Sequence, residues 1–292
     1  MPAALQPRVR NLFLRGLVGI AFILGLGVAC QLVAFAAEDL YPIAKAILPA
    51  VNSLALLPGL MLGYCLFVRL IERRPLSELA PRPALPQLSM GLALGVALFM
   101  ATMAPLIGLG LYTVNGSHPA HVLVKPLVIG LVAAVAEELV FRGLLLRLLE
   151  ERWGSLWALG ISSLVFGLVH GVNPGASPIV VMIIALEAGL LLGAAWLATR
   201  RLWLGIGLHF AWNFSQGGIF GAAVSGTGMA GLLAGRLTGP AVLTGGPFGP
   251  EASLQAVAIC VTAGLFLLLL ARRHGKLVGP ARPPVRGQAS IQ

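Results

Sequence analysis

The sequence predicts an all-α integral membrane protein, a single bundle of about eight transmembrane helices. Two observations support this fold class. Hydrophobic residues make up 58% of the 292 residues and charged residues only 10%, whereas a soluble domain has about 45–50% and 25%. The apolar runs also continue to about residue 271 without a polar block large enough for a soluble domain.

Eight apolar runs approach or exceed the roughly 20 residues that an α-helix needs to cross a bilayer. They lie at 12–36, 46–70, 88–113, 124–150, 156–172, 177–198, 203–222 and 252–271. The run at 156–172 is short and is followed by Asn173-Pro174-Gly175, so we expect a tilted or incomplete helix there. We assign residues 1–279 to one transmembrane domain with its core at 124–222, and residues 280–292 to a disordered cytoplasmic tail.

The first run raises the question of a cleaved leader, because Ala34-Phe35-Ala36 would suit a signal peptidase. The apolar stretch is longer than the 7–15 residues of a signal peptide core, which favours an uncleaved first helix. The three cysteines, Cys30, Cys65 and Cys260, lie singly in separate spans, without the spacing of a metal or redox site.

The positive charges mark the orientation of the bundle. They cluster in every second connection: Arg8, Arg10 and Arg15; Arg69, Arg73, Arg74 and Arg82; Arg147 and Arg152; Arg200 and Arg201; Arg272, Arg273 and Lys276. By the positive-inside rule, both termini are then cytoplasmic. This alternation also explains the net charge of +10 without any binding of nucleic acid.

Few polar residues lie inside the spans, and such residues are costly at membrane depth and tend to be functional. They are Glu137, Glu138, Arg142, His170, Glu187, His209 and Asn213. Residues four apart share a helix face, so Glu138 can pair with Arg142, and His209 with Asn213 can face one point. Glu137 points about 100° away from Glu138 and stays available for chemistry.

Most known intramembrane chemistries can be eliminated. The only aspartate, Asp39, lies in an outer connection, so an aspartyl dyad is impossible, and a zinc-protease HExxH helix is absent. Nothing around Ser162 and Ser163 resembles a nucleophile elbow. Carboxylates and imidazoles remain, and they suit the activation of water: a carboxylate or histidine takes the proton, while a second histidine with asparagine stabilises the oxyanion.

Three short motifs carry a family resemblance. Glu137-Glu138-Leu-Val-Phe-Arg142 resembles the EExxxR motif of the CPBP family, the CAAX proteases and bacteriocin-processing enzymes also called the Abi family. Phe166-Gly-Leu-Val-His170 is similar to the FxxxH motif of that family, and His209-Phe-Ala-Trp-Asn213 to its HxxxN motif. Each motif alone is weak, but all three occur in the family order and each lies on its own predicted helix.

The resemblance implies an intramembrane endopeptidase whose site opens between helices toward the cytoplasmic half. By analogy, Glu137 with His170 would activate the attacking water. His209 and Asn213 would hold the oxyanion, and Glu138 with Arg142 would brace the site. Glu137, His170 and His209 could also supply three ligands to a divalent metal such as zinc. We favour a mechanism without a cofactor, because no carboxylate partner for the two histidines is evident.

Alternative interpretations stay open. Glu138 and Arg142 could form a purely structural ion pair. Glu187 is not part of the family pattern, and the Gly/Pro-rich segment at 225–250 could be a lid or an ordinary loop. The whole protein could instead be a non-catalytic membrane scaffold or immunity protein, or a proton-coupled transporter.

Composition also indicates a setting. A high content of Ala, Gly, Leu and Arg with only three lysines is typical of a GC-rich bacterium, which argues against prenylated substrates. We therefore expect a multi-pass protein of the bacterial cytoplasmic membrane. Its expected partners are membrane lipid and a peptide or membrane-protein substrate, and the oligomeric state is left open.

Overall fold

The structure, a computed structural model, describes residues 9, 11–36 and 52–280. Several parts of the chain lie outside the described residues: Arg8 and Arg10, the acidic connection with Glu38 and Asp39, the start of the second span, and residues 281–292 of the tail. The predictions for these segments stay predictions.

Helices account for most of the described chain. The α-helices are α1 Leu12–Ala36, α2 Leu56–Leu66, α3 Ala84–Gly108, α4 Val124–Glu137, α5 Arg147–His170, α6 Pro178–Ile184, α7 Leu190–Thr199, α8 Trp203–Asn213, α9 Ala241–Thr244 and α10 Leu254–Arg273. Short π-helical segments extend four of them: Phe67–Glu72, Glu138–Leu146, Ala185–Gly189 and Phe214–Ile219. Single 3₁₀ turns lie at Ser77–Leu79, Ala120–Leu123 and Pro250–Ala252.

Four of the described helical stretches are long and apolar enough to cross a membrane: Leu12–Ala36, Ala84–Gly108, Pro178–Thr199 and Leu254–Arg273. The chain is therefore a helical membrane protein, as predicted. The count of eight spans and the cytoplasmic termini go beyond this observation and stay predictions. The short fifth run corresponds to the second part of α5, after a kink at Gly154, whose φ of 76° suits glycine.

A two-stranded sheet departs from the all-α prediction. Strand β1, Tyr112–Ser117, pairs antiparallel with β2, Leu233–Leu237, and Tyr112 lies opposite Leu237. We predicted that the third span continues to residue 113, but α3 ends at Gly108 and the chain turns into β1. The sequence concealed this sheet because both strands are short and their pairing joins segments more than 100 residues apart.

Contacts between connections define two ends of the bundle. At the first, which we call the basic end, Leu202 N–H donates to the Glu78 carbonyl, and Arg200 forms an ion pair with Glu150. At the other, which we call the sheet end, β1 pairs with β2 of the segment 220–253, and a methyl group added at Gly175 would lie 3.2 Å from the Phe248 nitrogen. Each connection described between consecutive long helices falls at one end or the other, and the ends alternate along the chain.

Acidic residues at the basic end hold several helices together. Glu72 forms ion pairs with Arg15 of α1 at 3.4 Å, with Arg74 at 2.7 Å and with Arg147 of α5. Arg147 also pairs with Glu151 at 2.8 Å. These pairs link α1, the π segment after α2 and the start of α5.

Glycines let α3 approach α8 closely. A methyl group at Gly91 of α3 would overlap the Leu204 carbonyl of α8, and one at Gly207 of α8 would overlap the Leu88 carbonyl of α3. Small residues at such crossings allow backbones to meet, which is the usual way in which membrane helices associate. This contact holds α8, which carries the third motif, against α3.

Candidate functional site

The two neighbouring glutamates of the first motif have different surroundings. Glu137 is the last residue of α4, and Glu138 is the first residue of the following π-helical segment. The Glu138 side chain is 1% exposed and the Glu137 side chain 28% exposed. Glu138 therefore lies in the bundle interior, whereas Glu137 faces a partly open space.

Glu138 forms an ion pair with Arg142, the arginine of the same motif. Arg142 Nη1 donates to Glu138 Oε1 at 2.8 Å, and Arg142 Nη2 donates to the backbone carbonyls of Ala188 and Gly189 at 3.1 and 3.2 Å. The guanidinium carbon also lies 4.6 Å from the centre of the Phe166 ring. The pair thus connects the first motif to the second and to the π segment after α6.

The second motif positions its histidine through its own backbone. His170, the last residue of α5, donates its Nδ1–H to the Phe166 carbonyl at 2.8 Å, and its ring packs on the Phe166 ring with centroids 4.5 Å apart. Because a neutral imidazole has one donor and one acceptor nitrogen, this bond leaves Nε2 as the acceptor. His170 therefore presents a basic nitrogen to the site.

The structure brings Glu137 and both histidines together. Glu137 Oε2 lies 3.9 Å from His170 Nε2 and 3.8 Å from His209 Nε2. On its other side, His209 Nδ1 lies 3.5 Å from Glu138 Oε1. Both contacts of Glu137 are too long for direct hydrogen bonds, and polar groups at this separation are commonly bridged by water.

A small cavity adjoins the two histidines, although Glu137 itself does not line it. It has a volume of about 30 Å³, and its lining combines apolar side chains with the polar residues His170, Glu187, His209, Asn213, Ser225 and Glu251. A buried water needs about 10–15 Å³ of such volume and two to four polar partners. The cavity therefore has the size and polarity to hold one or two water molecules. Asn213 lines it one turn beyond His209, as the four-residue spacing predicted.

The cavity contains a carboxylate that the motif analysis missed. Glu251, in the 3₁₀ turn before α10, is 4% exposed and accepts a 2.6 Å hydrogen bond from the Ser225 backbone N–H. Burial raises the pKa of the Glu251 carboxyl to about 7, although its hydrogen bonds with Ser225 and Gln216 oppose this rise. The only signal in the sequence was a glutamate directly after the Gly/Pro-rich segment at 225–250, which we left open as a lid or an ordinary loop.

Glu187 also belongs to this cavity. Its side chain is buried and lies in the π segment after α6. It accepts a hydrogen bond from the Cys260 thiol at 3.5 Å. Its place among the polar residues inside spans was correct, but its position beside the histidines was visible only in the fold. Ser225 belongs to the Gly/Pro-rich segment at 225–250, which the sequence left open as lid or loop, and it lines the cavity together with Glu251, which follows that segment.

Glu137, His170 and His209 are the residues that could supply three ligands to a divalent metal. Within residues 9, 11–36 and 52–280, no group of three His, Cys, Asp or Glu side chains is arranged to hold a metal ion. Glu137, His170 and His209 lie near one another, but they do not form such a group. We therefore derive no step through a metal.

Comparison with known proteins gives one match. Residues 119–215 match the family model described as type II CAAX prenyl endopeptidase Rce1-like. No curated protein and no solved structure matches the chain. The matched third of the chain contains all three motifs, from Glu137 to Asn213, and the match agrees with their resemblance to the CPBP family. The description of that family names an endopeptidase, a hydrolase that acts on peptide bonds. Residues 119–215 of this chain are therefore similar to the Rce1-like family.

Proposed function

We propose that this protein is an intramembrane endopeptidase of the bacterial cytoplasmic membrane, in which Glu137 and His170 activate a water molecule. One observation carries the proposal: Glu137 Oε2 lies between His170 Nε2 and His209 Nε2, at 3.9 and 3.8 Å. These gaps suit a bridging water, and the adjoining cavity has room for it.

In the proposed reaction, the water attacks the carbonyl carbon of the scissile peptide bond. Its proton passes to Glu137 or to the free Nε2 of His170, and the attack leaves a negative charge on the carbonyl oxygen. His209 and Asn213, one turn apart on α8, stabilise that oxyanion. The proton then moves to the leaving amine, and the C–N bond breaks. A positioned general base is worth about 10²–10⁴-fold in rate, and one oxyanion donor about 10²–10³-fold.

Glu138 and Arg142 are positioning residues in this proposal. Their ion pair is almost fully buried, and Glu138 Oε1 faces Nδ1 of His209 at 3.5 Å. Arg142 at the same time packs on Phe166, whose ring supports His170. The pair therefore determines where both imidazoles stand relative to Glu137.

The test is cleavage of a membrane-peptide library by purified protein, comparing wild type with Glu137→Gln and His209→Ala. We expect cleavage by the wild type and a loss of at least about 100-fold in each variant, because each removes a group that acts on the reacting atoms. Equal cleavage by the wild type and Glu137→Gln would refute the proposal. Adding a chelator to the wild type separates the two routes to an activated water: unchanged activity supports the metal-free route, and lost activity supports a metal.

A further inference from the structure

The cavity extends from the middle of the bundle toward the sheet end. Ser225 and Glu251, which line it, belong to the segment 220–253 that connects α8 to α10 at that end. His170, another lining residue, is the last residue of α5, a helix that starts at the basic end. No residue of the basic-end connections 73–83, 147–154, 200–202 or 274–280 lines it.

Helix geometry gives the depth of the site. At about 1.5 Å per residue, His170 lies roughly 22 Å along α5 from Ser155. Glu137 lies at most roughly 15 Å from Arg147, because the residues between them are π-helical and rise less per residue. The hydrocarbon core of a bilayer is about 30 Å thick. Glu137 is thus near the middle of the membrane, and His170 lies in the half nearer the sheet end.

Charge identifies which end faces the cytoplasm. Among the described lysines and arginines, only Lys125 and Arg236 lie at the sheet end, and Arg142 is buried inside the bundle. All others are at or near the basic end: Arg15, Arg69, Arg73, Arg74, Arg82, Arg147, Arg152, Arg200, Arg201, Arg272, Arg273 and Lys276. Connections rich in lysine and arginine remain in the cytoplasm, so the sheet end is extracytoplasmic.

We propose that the active-site cavity opens to the extracytoplasmic side, and that the substrate is an exported polypeptide or an outer segment of a membrane protein. This inference rests on the proposed peptidase function. The family resemblance implied an opening toward the cytoplasm. In this arrangement of helices the cavity lies toward the sheet end, and the charge distribution places that end outside the cytoplasm, so the two expectations conflict.

Backbone hydrogen bonds close this side in the structure. The segment 224–227 roofs the cavity: Gly226 N–H donates to the Phe248 carbonyl at 2.8 Å, and Ser225 N–H donates to Glu251. A cavity of about 30 Å³ is too small for a peptide. Substrate entry therefore requires the roof or a neighbouring helix to move, and labelling from outside should report that movement.

Thiol labelling tests the direction of opening. Single cysteines replace Ser225 in the roof and Ala188 in the cavity wall, with the native Cys30, Cys65 and Cys260 changed to alanine. Both new thiols line the cavity, and neither residue contributes its side chain to the proposed chemistry. The matched control is Ser77→Cys, which lies exposed at the basic end. A membrane-impermeant maleimide is added to intact cells and to inverted vesicles.

We expect Ser225→Cys and Ala188→Cys to be labelled at least tenfold faster in intact cells than in inverted vesicles, and Ser77→Cys to show the reverse. Labelling of Ala188→Cys only in inverted vesicles would overturn the inference, as would labelling of Ser77→Cys in intact cells. If the cysteine-free protein fails to fold, the same positions are labelled in the wild-type background, whose three native cysteines supply the baseline.

A second arm uses activity, so that this inference and the proposed function can fail separately. Sealed vesicles of each orientation receive an impermeant, quenched fluorescent peptide library from outside. We expect cleavage in right-side-out vesicles and at least tenfold less in inverted ones, and the opposite ratio would overturn the inference. If Glu137→Gln cleaves as fast as the wild type, the peptidase mechanism fails, while the labelling still decides which way the cavity opens.

Discussion

Glu137 and Glu138 are neighbours in the chain, yet the different surroundings of their side chains predict that mutation of one affects mainly activity and mutation of the other mainly stability. Glu137 is partly exposed, and its Oε2 lacks a hydrogen-bond partner. We therefore expect Glu137→Gln to lower turnover by at least about 100-fold while leaving the melting temperature in detergent within about 2 °C of the wild type. A large drop in melting temperature would assign a structural role to Glu137 instead.

Glu138→Gln is the matched control at the adjacent position. It would leave Arg142, which is 2% exposed, as a buried charge without its carboxylate partner. Breaking a buried pair in this way costs about 3–5 kcal/mol, so we expect a marked loss of stability in thermal unfolding. Changing both partners, as Glu138→Gln with Arg142→Met, should recover part of that loss. If the double variant were no more stable than Glu138→Gln alone, the ion pair would not be the cause.

Glu251 should make the stability of the folded protein depend on pH. Burial raises its pKa to about 7 in the folded protein, from an ordinary value of 4.5. The folded state therefore holds the proton more tightly, and this contribution to stability is complete below pH 4.5 and is lost as the pH rises to 7. The shift corresponds to at most about 3 kcal/mol. Glu187 and His209 are its titratable neighbours.

Glu251→Gln should remove this dependence. We expect the variant to be more stable than the wild type at pH 8, because the substitution removes a buried negative charge there. At pH 4.5 the wild-type carboxyl is already neutral, so we expect little gain. Melting temperatures measured across this range, with the variant compared to the wild type at each pH, provide the check. A constant difference at all pH values would contradict the raised pKa.

At the scale of the element, three of the four described π-helical segments lie at the candidate site, whereas Phe67–Glu72 lies at the basic end. Glu138 and Arg142 are in the segment Glu138–Leu146, Glu187 is in Ala185–Gly189, and Phe214–Ile219 begins directly after Asn213. Such π-helical turns are rare in proteins, and those that occur are often at functional sites. Here Arg142 donates to the carbonyls of Ala188 and Gly189, so one such segment binds a side chain from another.

The crossing of α3 and α8 supports the helix that carries His209. We expect Gly91→Ala to destabilise the protein by about 1–3 kcal/mol, because the added methyl group would overlap the Leu204 backbone, which cannot move without shifting α8. The measurement is thermal unfolding, together with turnover. Gly160→Ala on α5 is the control, since nothing lies within 4 Å of an added methyl group there. Equal effects of the two substitutions would argue against close packing at Gly91.

At the scale of the whole molecule, the buried carboxylate of Glu78 holds the connection between α2 and α3 in place at the basic end. Glu78 accepts hydrogen bonds from Arg74 at 2.6 and 2.9 Å and from the Tyr64 hydroxyl, and its side chain is 4% exposed. Burial alone would raise the pKa of the Glu78 carboxyl, but the hydrogen bonds and charge of Arg74 outweigh it and lower the pKa to about 2. This carboxylate therefore stabilises the fold above pH 4.5, and the contribution is lost as the pH falls toward 2.

Glu78→Gln should destabilise the protein at neutral pH by about 3 kcal/mol, since it removes one partner of a buried ion pair. The difference from the wild type should shrink as the pH falls from 4.5 to 2, where the wild-type carboxyl also becomes neutral. Unfolding measured in detergent at pH 7, 4 and 2.5 checks both statements. A difference that stays constant down to pH 2.5 would show that packing, rather than charge, explains the effect.

The sequence by itself determined the long apolar helices and the short list of polar groups, but not the β1–β2 sheet or the end of α3. Apolar runs predicted the helices closely, as for α1 at 12–36 and α10 within a few residues of 252–271, because hydropathy and length are local properties. A four-residue spacing likewise predicted the Glu138–Arg142 pair and the common face of His209 and Asn213, since both follow from the geometry of a single helix.

Only the tertiary structure decided which helices are neighbours. Spans of similar hydropathy carry no local signal for their partners, since membrane helices associate through shape and close packing. For that reason the 3.8–3.9 Å approach of Glu137 to His170 and His209, the entry of Glu251 into the cavity and the pairing of β1 with β2 could not be derived from spacing. The position of the cavity toward the sheet end could not be derived from the sequence either, because it depends on how the segment 220–253 folds back over the helices.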